Sequence, residues 1–141
     1  MDFTELGLNA RFVARLEGLG MTKPTPIQEQ AIPKAMLGHD ILGIAQTGTG
    51  KTAAFGIPLV VSLSKRPEKA VPKSARGLVL APTRELAGQI VQNLRWWSAD
   101  LRTTLVVGGK SVNAQAQSLA RGTDILVATP GRLIDLTERG A

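Results

Sequence analysis

A glycine-rich segment at residues 45–52 (AQTGTGKT) most narrowly limits the folds that this chain can adopt. It follows an apolar run at residues 41–45 and precedes a helical pattern from about residue 50 to 63. Closely spaced glycines let backbone N–H groups turn inward around phosphate oxygens, and the N-terminus of a following helix adds positive potential there. We therefore predict a buried strand at 41–45, a phosphate-binding loop and a helix, in that order.

Two side chains at the end of this segment suit a bound nucleoside triphosphate. Lys51 can reach the β- and γ-phosphates, and the Thr52 hydroxyl can ligate a Mg²⁺ ion. The usual pattern begins with glycine, and Ala45 stands at that position here. Because alanine tolerates the conformation at a strand end, the departure is mild. The loop alone indicates triphosphate binding and does not indicate which reaction follows.

The remainder of the chain alternates between two apolar periodicities. Strands are predicted at residues 76–81, 103–107 and 124–128, and helices at residues 83–98, 111–121 and 131–139. Strands that alternate with helices predict a parallel α/β sheet with helices on both faces.

The N-terminal part of the chain predicts helices only. A first helix spans residues 8–19 with Asn9 as its N-cap. A second helix starts at Thr25, because Pro26 suits the first helical position and Gln28 lies where a capping box places a glutamine.

Composition excludes several classes of protein. The 141 residues fit one globular domain, and the longest apolar runs are far too short to span a membrane. Cysteine is absent, which excludes disulfides and thiolate chemistry, and a single histidine cannot build a histidine metal site. The first residues, MDFTEL, do not read as a signal peptide, so we expect a cytoplasmic protein. A net charge of +6 favours a polyanionic partner.

Five segments, in order, resemble motifs of the DEAD-box family of RNA helicases. Residues 20–28 (GMTKPTPIQ) resemble the Q motif, and Phe3 stands where that family keeps an upstream aromatic residue. Residues 45–52 resemble its phosphate loop. The other three segments are PTRELA at 82–87, the glycine doublet at 108–109 and TPGR at 129–132. The ordered set covers nearly the whole chain and is very specific.

The resemblance implies an RNA-dependent ATPase that locally separates RNA duplexes, with ATP and Mg²⁺ as cofactors. It assigns catalytic contacts to Lys51 and Thr52. A glutamine amide both donates and accepts, so Gln28 can pair with adenine and select ATP over GTP, while Phe3 can stack on the base. The alternatives are a helix-capping role for Gln28 and a core-anchor role for Phe3. The full set of nucleotide contacts is Phe3, Lys23, Gln28, Gln46, Thr47, Gly48, Thr49, Gly50, Lys51, Thr52 and Ala53.

The same resemblance implies an RNA track. Threonine hydroxyls and arginines bind phosphates, and small residues let the backbone approach them, so binding should be sequence-tolerant and salt-sensitive. Structural alternatives are a helix start at 82–83, a turn at 108–109 and a helix cap at 129–130. The assigned residues are Pro82, Thr83, Arg84, Gly108, Gly109, Thr129, Pro130, Gly131 and Arg132.

Two adjacent tryptophans invite a base-stacking interpretation. Neighbouring residues on a helix point about 100° apart, so at most one of the pair can lie fully on the core face. Trp97 continues the spacing of Ile90 and Leu94 and is the expected core residue, while Trp96 is expected to be partly exposed.

The chain has no adjacent pair of acidic residues, which the family's Asp-Glu-Ala-Asp motif supplies for hydrolysis. We interpret residues 1–141 as the N-terminal part of a first RecA-like domain, incomplete at the C-terminus. Residues 1–29 form its Q-motif region and 30–141 its P-loop core. The second RecA-like domain of the parent protein is then a partner, and this stretch binds adenine nucleotide without hydrolysing it. Alternatives are a stand-alone, non-catalytic nucleotide- or RNA-binding module, and another P-loop enzyme such as a DNA helicase or a nucleotide kinase.

Overall fold

A computed structural model describes residues 2–45, 48, 50–66, 68–98 and 100–141. The chain divides into two compact units, Met1–Ser62 and Leu63–Ala141. The helix bounds are Ala10–Gly18 (α1), Pro26–Met36 (α2), Lys51–Ser64 (α3), Arg84–Trp97 (α4), Val112–Leu119 (α5) and Pro130–Glu138 (α6); the strand bounds are Ala75–Leu80 (β1), Thr103–Val106 (β2) and Thr123–Ala128 (β3).

The first unit is helical, and its helices at residues 10–18 and 26–36 lie where the sequence predicted them. Asn9 caps α1, since its side-chain oxygen accepts a hydrogen bond from the backbone N–H of Phe12 at 2.8 Å. A short 3₁₀ helix, Phe3–Leu6, precedes α1 and was absent from the sequence prediction. It contacts both α1 and α2. Its apolar side chains complete the core of the unit, whose fully buried members include Phe3, Leu6, Leu16 and Ile32.

The predicted start of α2 is confirmed. Thr25 is the N-cap, Pro26 is the first helical residue, and the Gln28 side-chain oxygen accepts a hydrogen bond from the Thr25 backbone N–H at 3.0 Å. This bond satisfies one of the N–H groups that a helix start leaves unpaired.

The buried strand predicted at residues 41–45 is wrong. The segment forms no strand, and Leu42 and Ile44 are exposed. An extended segment becomes a strand only when a neighbour pairs with its backbone groups, and no other described residues do so here. The apolar sequence therefore favours an extended strand, but among the described residues the segment lacks the neighbouring strand that it would need.

The second unit contains the predicted parallel sheet. Its strand order is β1-β3-β2, so β3 is central and pairs in parallel with both neighbours. Each predicted strand and helix of this unit is confirmed to within about two residues at its ends. The central strand is the most buried, as expected of a strand covered on both faces.

Helices cover both faces of the sheet. One face packs Leu126 of β3 against Leu119 of α5 and Leu136 of α6. Side chains alternate along a strand, so Ile125 and Val127 point to the opposite face. Helix α4 packs against β2 and β3, which places it over that second face.

Asp124 fixes the amino-terminal edge of the sheet. One carboxylate oxygen accepts from Nη1 of Arg76 at 2.9 Å, and the other accepts from the backbone N–H of Arg102 at 2.8 Å. Nη2 of Arg76 donates in turn to the carbonyl oxygen of Leu63. The ion pair is largely buried and ties all three strands at the edge opposite the predicted RNA-contacting segments.

Within the described part of the chain, no helix is both long and apolar enough to cross a membrane.

Candidate functional site

The predicted phosphate loop leads directly into α3. Lys51 is the first helical residue and is exposed, Thr52 is half-buried, and Ala53 is buried. Gly48 and Gly50 adopt positive φ angles of 84° and 85°, which glycine accommodates without steric cost. Gln46, Thr47 and Thr49 lie outside the described residues, so their predicted nucleotide contacts stay predictions.

Gln28 connects this loop to the start of α2. Its side chain is buried, and Nε2 donates a hydrogen bond to the carbonyl oxygen of Gly50 at 3.2 Å while Oε1 accepts from Thr25. Gly50 must lack a side chain here, because a Cβ atom would collide with the Gln28 amide. The bond from Thr25 confirms the helix-capping role of Gln28. The amide also keeps one N–H and one lone pair unused by these two bonds.

Phe3 and Lys23 occupy contrasting environments. Only 1% of Phe3 is exposed, so its ring packs as a core anchor, and stacking on adenine would require the N-terminal segment to move. Lys23 is exposed in the bend before α2 and is accessible to an anionic ligand.

The three segments of the predicted RNA track meet at one edge of the sheet. Because the strands are parallel, their carboxyl ends lie together, and Leu80 and Val106 both pair with Ala128 in register. Residues 82–84 follow β1, residues 108–109 follow β2 and residues 129–132 follow β3. The structure thus brings together all nine residues that sequence analysis assigned to this track.

Two of these segments also start helices, as the structural alternatives proposed. Thr83 is the N-cap of α4, and its hydroxyl accepts from the Leu86 backbone N–H at 3.2 Å. Thr129 is the N-cap of α6, but its side chain makes no capping hydrogen bond. The backbone N–H of Thr129 is held by the carbonyl oxygen of Val106 at 3.1 Å, and the hydroxyl stays available.

Arg84 lies against the glycine doublet. Gly109 has a φ angle of 80°, and a Cβ atom there would collide with the Arg84 guanidinium, whereas a Cβ on Gly108 would meet nothing within 4 Å. The second glycine of the doublet is therefore required on two counts, backbone conformation and the approach of Arg84. Arg84 itself is exposed, so its charge faces solvent.

Arg132 is held by a residue that sequence analysis missed. Its Nη1 donates to the side-chain oxygen of Gln115 and to the carbonyl oxygen of Lys110, both at 2.9 Å. Gln115 is only 7% exposed, and its Nε2 donates to the carbonyl oxygen of Val107 at 3.0 Å. The signal in the sequence was slight: a glutamine four residues before Leu119, on the inward face of α5.

The tryptophan prediction is confirmed. Trp97 is 4% exposed and packs in the core with Ile90 and Leu94, whereas Trp96 is 49% exposed.

The described residues are better suited to a Mg²⁺ ion that binds together with a nucleotide than to a metal ion held by the protein alone. Among the described residues, no three histidine, cysteine or acidic side chains cluster closely enough to cage a metal. Mg²⁺ is commonly bound through substrate phosphates and a small number of protein oxygens. Thr52 is half-buried next to Lys51, and its hydroxyl is suited to be one of these protein oxygens.

Comparison with known proteins places this geometry in a family. The model of the DEAD/DEAH box helicase family matches residues 25–141. The chain is 48% identical over 140 residues to the ATP-dependent rRNA helicase RRP3 of Pyricularia oryzae, covering 98% of this chain and 25% of that protein. It therefore spans about a quarter of this curated relative.

Solved structures agree with the sequence comparisons. The RNA helicase Prp28 from Chaetomium thermophilum bound to ADP superposes with a TM-score of 0.86 at 42% identity, covering 98% of this chain and 34% of that one. The DEAD-box splicing factor Prp28 from yeast gives a TM-score of 0.84 at 39% identity, covering 98% of this chain and 35% of that one. The sheet with its covering helices is thus the RecA-like fold, and the chain belongs to the DEAD/DEAH box helicase family.

Proposed function

We propose that this chain forms the nucleotide-binding part of an ATP-dependent RNA helicase and contributes contacts to the RNA backbone. The observation that carries the proposal is the buried Gln28 amide, which bonds to Gly50 immediately before Lys51. A base-recognising group and a phosphate-binding loop are thereby joined by one hydrogen bond. The names of two relatives support the assignment, since one is an ATP-dependent rRNA helicase and another was solved with ADP.

Gln28 is suited to select adenine. The unused N–H of its amide can donate to adenine N7, and its unused lone pair can accept from the N6 amino group. Guanine presents an acceptor, O6, in place of that amino group, so the second bond would be lost. Discrimination of this kind is strong when the protein groups are buried, because the wrong base leaves them unpaired.

Lys51 and Thr52 are assigned to the phosphates. Lys51 is exposed at the first turn of α3, where its ammonium group and the helix N-terminus both favour negative charge. Thr52 would ligate the Mg²⁺ ion, which in this class neutralises charge on the β- and γ-phosphates. No two acidic residues are adjacent in this chain, so we propose that it binds ATP without turning it over by itself.

The carboxyl edge of the sheet is assigned to RNA. Arg84, Gly109 and Arg132 converge there. Arg132 forms only a long ion pair with Asp135, at 3.9 Å, and Arg84 forms no ion pair with the carboxylates of the described residues. Backbone amides beside small residues and positively charged guanidinium groups bind phosphates regardless of sequence. We therefore propose single-stranded RNA backbone as the ligand of this edge.

Calorimetric titration with Mg²⁺–ATP tests the nucleotide assignment. Lys51→Ala should abolish detectable ATP binding, because it removes the charge that faces the β- and γ-phosphates. Lys65→Ala removes an identical charge just beyond the other end of α3 and should leave ATP affinity unchanged. Unchanged affinity in Lys51→Ala would refute the phosphate-loop assignment. Equal affinities of the wild-type chain for ATP and GTP would instead favour a different P-loop enzyme.

Fluorescence anisotropy with a labelled single-stranded RNA tests the second assignment. Arg84→Ala should weaken binding across all sequences and reduce the slope of log affinity against log salt by about one. Arg121→Ala is the matched control, because this exposed arginine precedes β3 at the opposite edge of the sheet. Equal losses in the two variants would show that net charge alone, and not the carboxyl edge, binds RNA.

A further inference from the structure

We propose that Gln115 is a positioning residue that sets the RNA-contacting arrangement of Arg132 and the glycine doublet at 108–109. The inference rests on the proposed function of the carboxyl edge and extends it to a residue that lies outside the recognised motifs. Gln115 belongs to α5, is buried, and is a neutral side chain among the charged and small residues of this edge.

The two ends of the Gln115 amide hold two different segments. Nε2 donates to the carbonyl oxygen of Val107, the last residue before the glycine doublet, at 3.0 Å. Oε1 accepts from Nη1 of Arg132 at 2.9 Å, and the same nitrogen donates to the carbonyl oxygen of Lys110, just beyond the doublet. Hydrogen bonds that pass through the Gln115 amide therefore hold the residues on both sides of the doublet, Val107 before it and Lys110 after it.

This chain of hydrogen bonds reaches the third segment through packing. Arg84 lies against Gly109, so the position of the doublet also sets the position of that guanidinium group. Gln115 thus acts on residues following all three strands: directly on Arg132, through Val107 on the doublet, and through the doublet on Arg84.

An amide suits this role better than a carboxylate. A glutamate would neutralise Arg132, whereas a glutamine orients the guanidinium group and leaves its positive charge for phosphate. Asp135 forms an ion pair with Nε of Arg132 at 3.9 Å, but the distance is too long for a hydrogen bond and the carboxylate is half-exposed, so this pair is weak. A long side chain that is already fixed loses less rotamer freedom when a ligand binds, so pre-orientation raises affinity without any new contact.

The test compares RNA affinity in Gln115→Met with that in Gln117→Met. Methionine keeps the length of the side chain and removes both hydrogen bonds. Anisotropy with a short fluorescein-labelled oligouridylate should show binding about tenfold weaker for Gln115→Met, the size expected for losing one hydrogen bond to a charged group. Gln117 is exposed on the same helix, so Gln117→Met should bind the RNA like the wild-type chain. Affinity for Mg²⁺–ATP should be unchanged in both variants.

A double-mutant cycle separates positioning from general destabilisation. If Gln115 acts through Arg132, Gln115→Met should cost little additional RNA affinity in an Arg132→Ala background. The same tenfold loss in both backgrounds would overturn the proposal, and so would wild-type RNA affinity in Gln115→Met.

A variant of Arg132, which leaves the Gln115 side chain intact, keeps the inference testable if Gln115→Met does not fold. Arg132→Lys keeps the charge, but a lysine lacks the planar guanidinium group that donates to Gln115 Oε1 and to the Lys110 carbonyl oxygen. The variant should therefore weaken RNA binding by a similar factor. Wild-type affinity in Arg132→Lys would overturn the inference. Failure of the wild-type chain to bind RNA would instead refute the proposed function, so the two outcomes are distinguishable.

Discussion

The side-chain nitrogen of Gln28 donates a hydrogen bond to the carbonyl oxygen of Gly50 across 3.2 Å. The bond joins the first turn of α2 to the residue that precedes α3, over 22 positions of sequence. It is made by a buried amide whose oxygen also caps its own helix. One side chain therefore contributes to the stability of the first unit and stands next to the phosphate loop.

Gln28→Ala should destabilise the chain by about 1–3 kcal/mol, because it leaves the Thr25 N–H and the Gly50 carbonyl without their partner. Urea denaturation followed by circular dichroism measures this loss. Gln30→Ala, at an exposed position of the same helix, should change stability by less than about 0.5 kcal/mol. Equal effects in the two variants would contradict the structural role of the Gln28 amide.

Gly109→Ala should destabilise the chain by at least about 1–2 kcal/mol, since alanine is strained at a φ angle of 80° and its Cβ atom would displace the Arg84 guanidinium group. Gly108→Ala adds the same methyl group with no neighbour within 4 Å and no positive φ angle. The difference between the two melting temperatures is the measurement. Identical melting temperatures would contradict both the positive φ angle of Gly109 and the contact that Arg84 makes with it.

Trp97→Ala should cost about 3–5 kcal/mol of unfolding free energy, the usual penalty for removing a large buried aromatic side chain. Trp96→Ala should cost much less, because about half of that side chain is already exposed. Chemical denaturation of both variants gives the comparison. A larger loss for Trp96→Ala would contradict the structure, in which Trp97 and not Trp96 faces the core.

Asp124→Ala should destabilise the chain by about 2–3 kcal/mol, because it removes the carboxylate that pairs with Nη1 of the largely buried Arg76 and leaves the Arg102 N–H without its partner. Asp135→Ala also removes a carboxylate bonded to an arginine, Arg139, but both partners are about half-exposed. Exposed ion pairs contribute about 0–1 kcal/mol, so this variant should remain close to wild-type stability. Similar denaturation midpoints for both variants would show that the Asp124 pair does not anchor the sheet edge.

Local features of this chain were predictable from sequence. The N-caps at Asn9 and Thr25 and the apolar stripe that buries Trp97 depend on residues within one or two helical turns, and the structure confirms them. The family could also be recognised, because its motifs are short and contiguous. The failure at residues 41–45 has the opposite cause: whether an extended segment becomes a strand depends on a distant partner, and the segment itself cannot specify that partner.

The sequence by itself thus determined the helix positions, the caps, the segments able to form strands and the identity of the motif residues, since these depend on propensity, capping and periodicity. Only the tertiary structure decided which side chains meet. The strand order brings Arg84 to Gly109, and burial directs the two ends of the Gln115 amide to Val107 and Arg132. Contacts between residues far apart in sequence depend on how strands pair and helices pack, which no local pattern encodes.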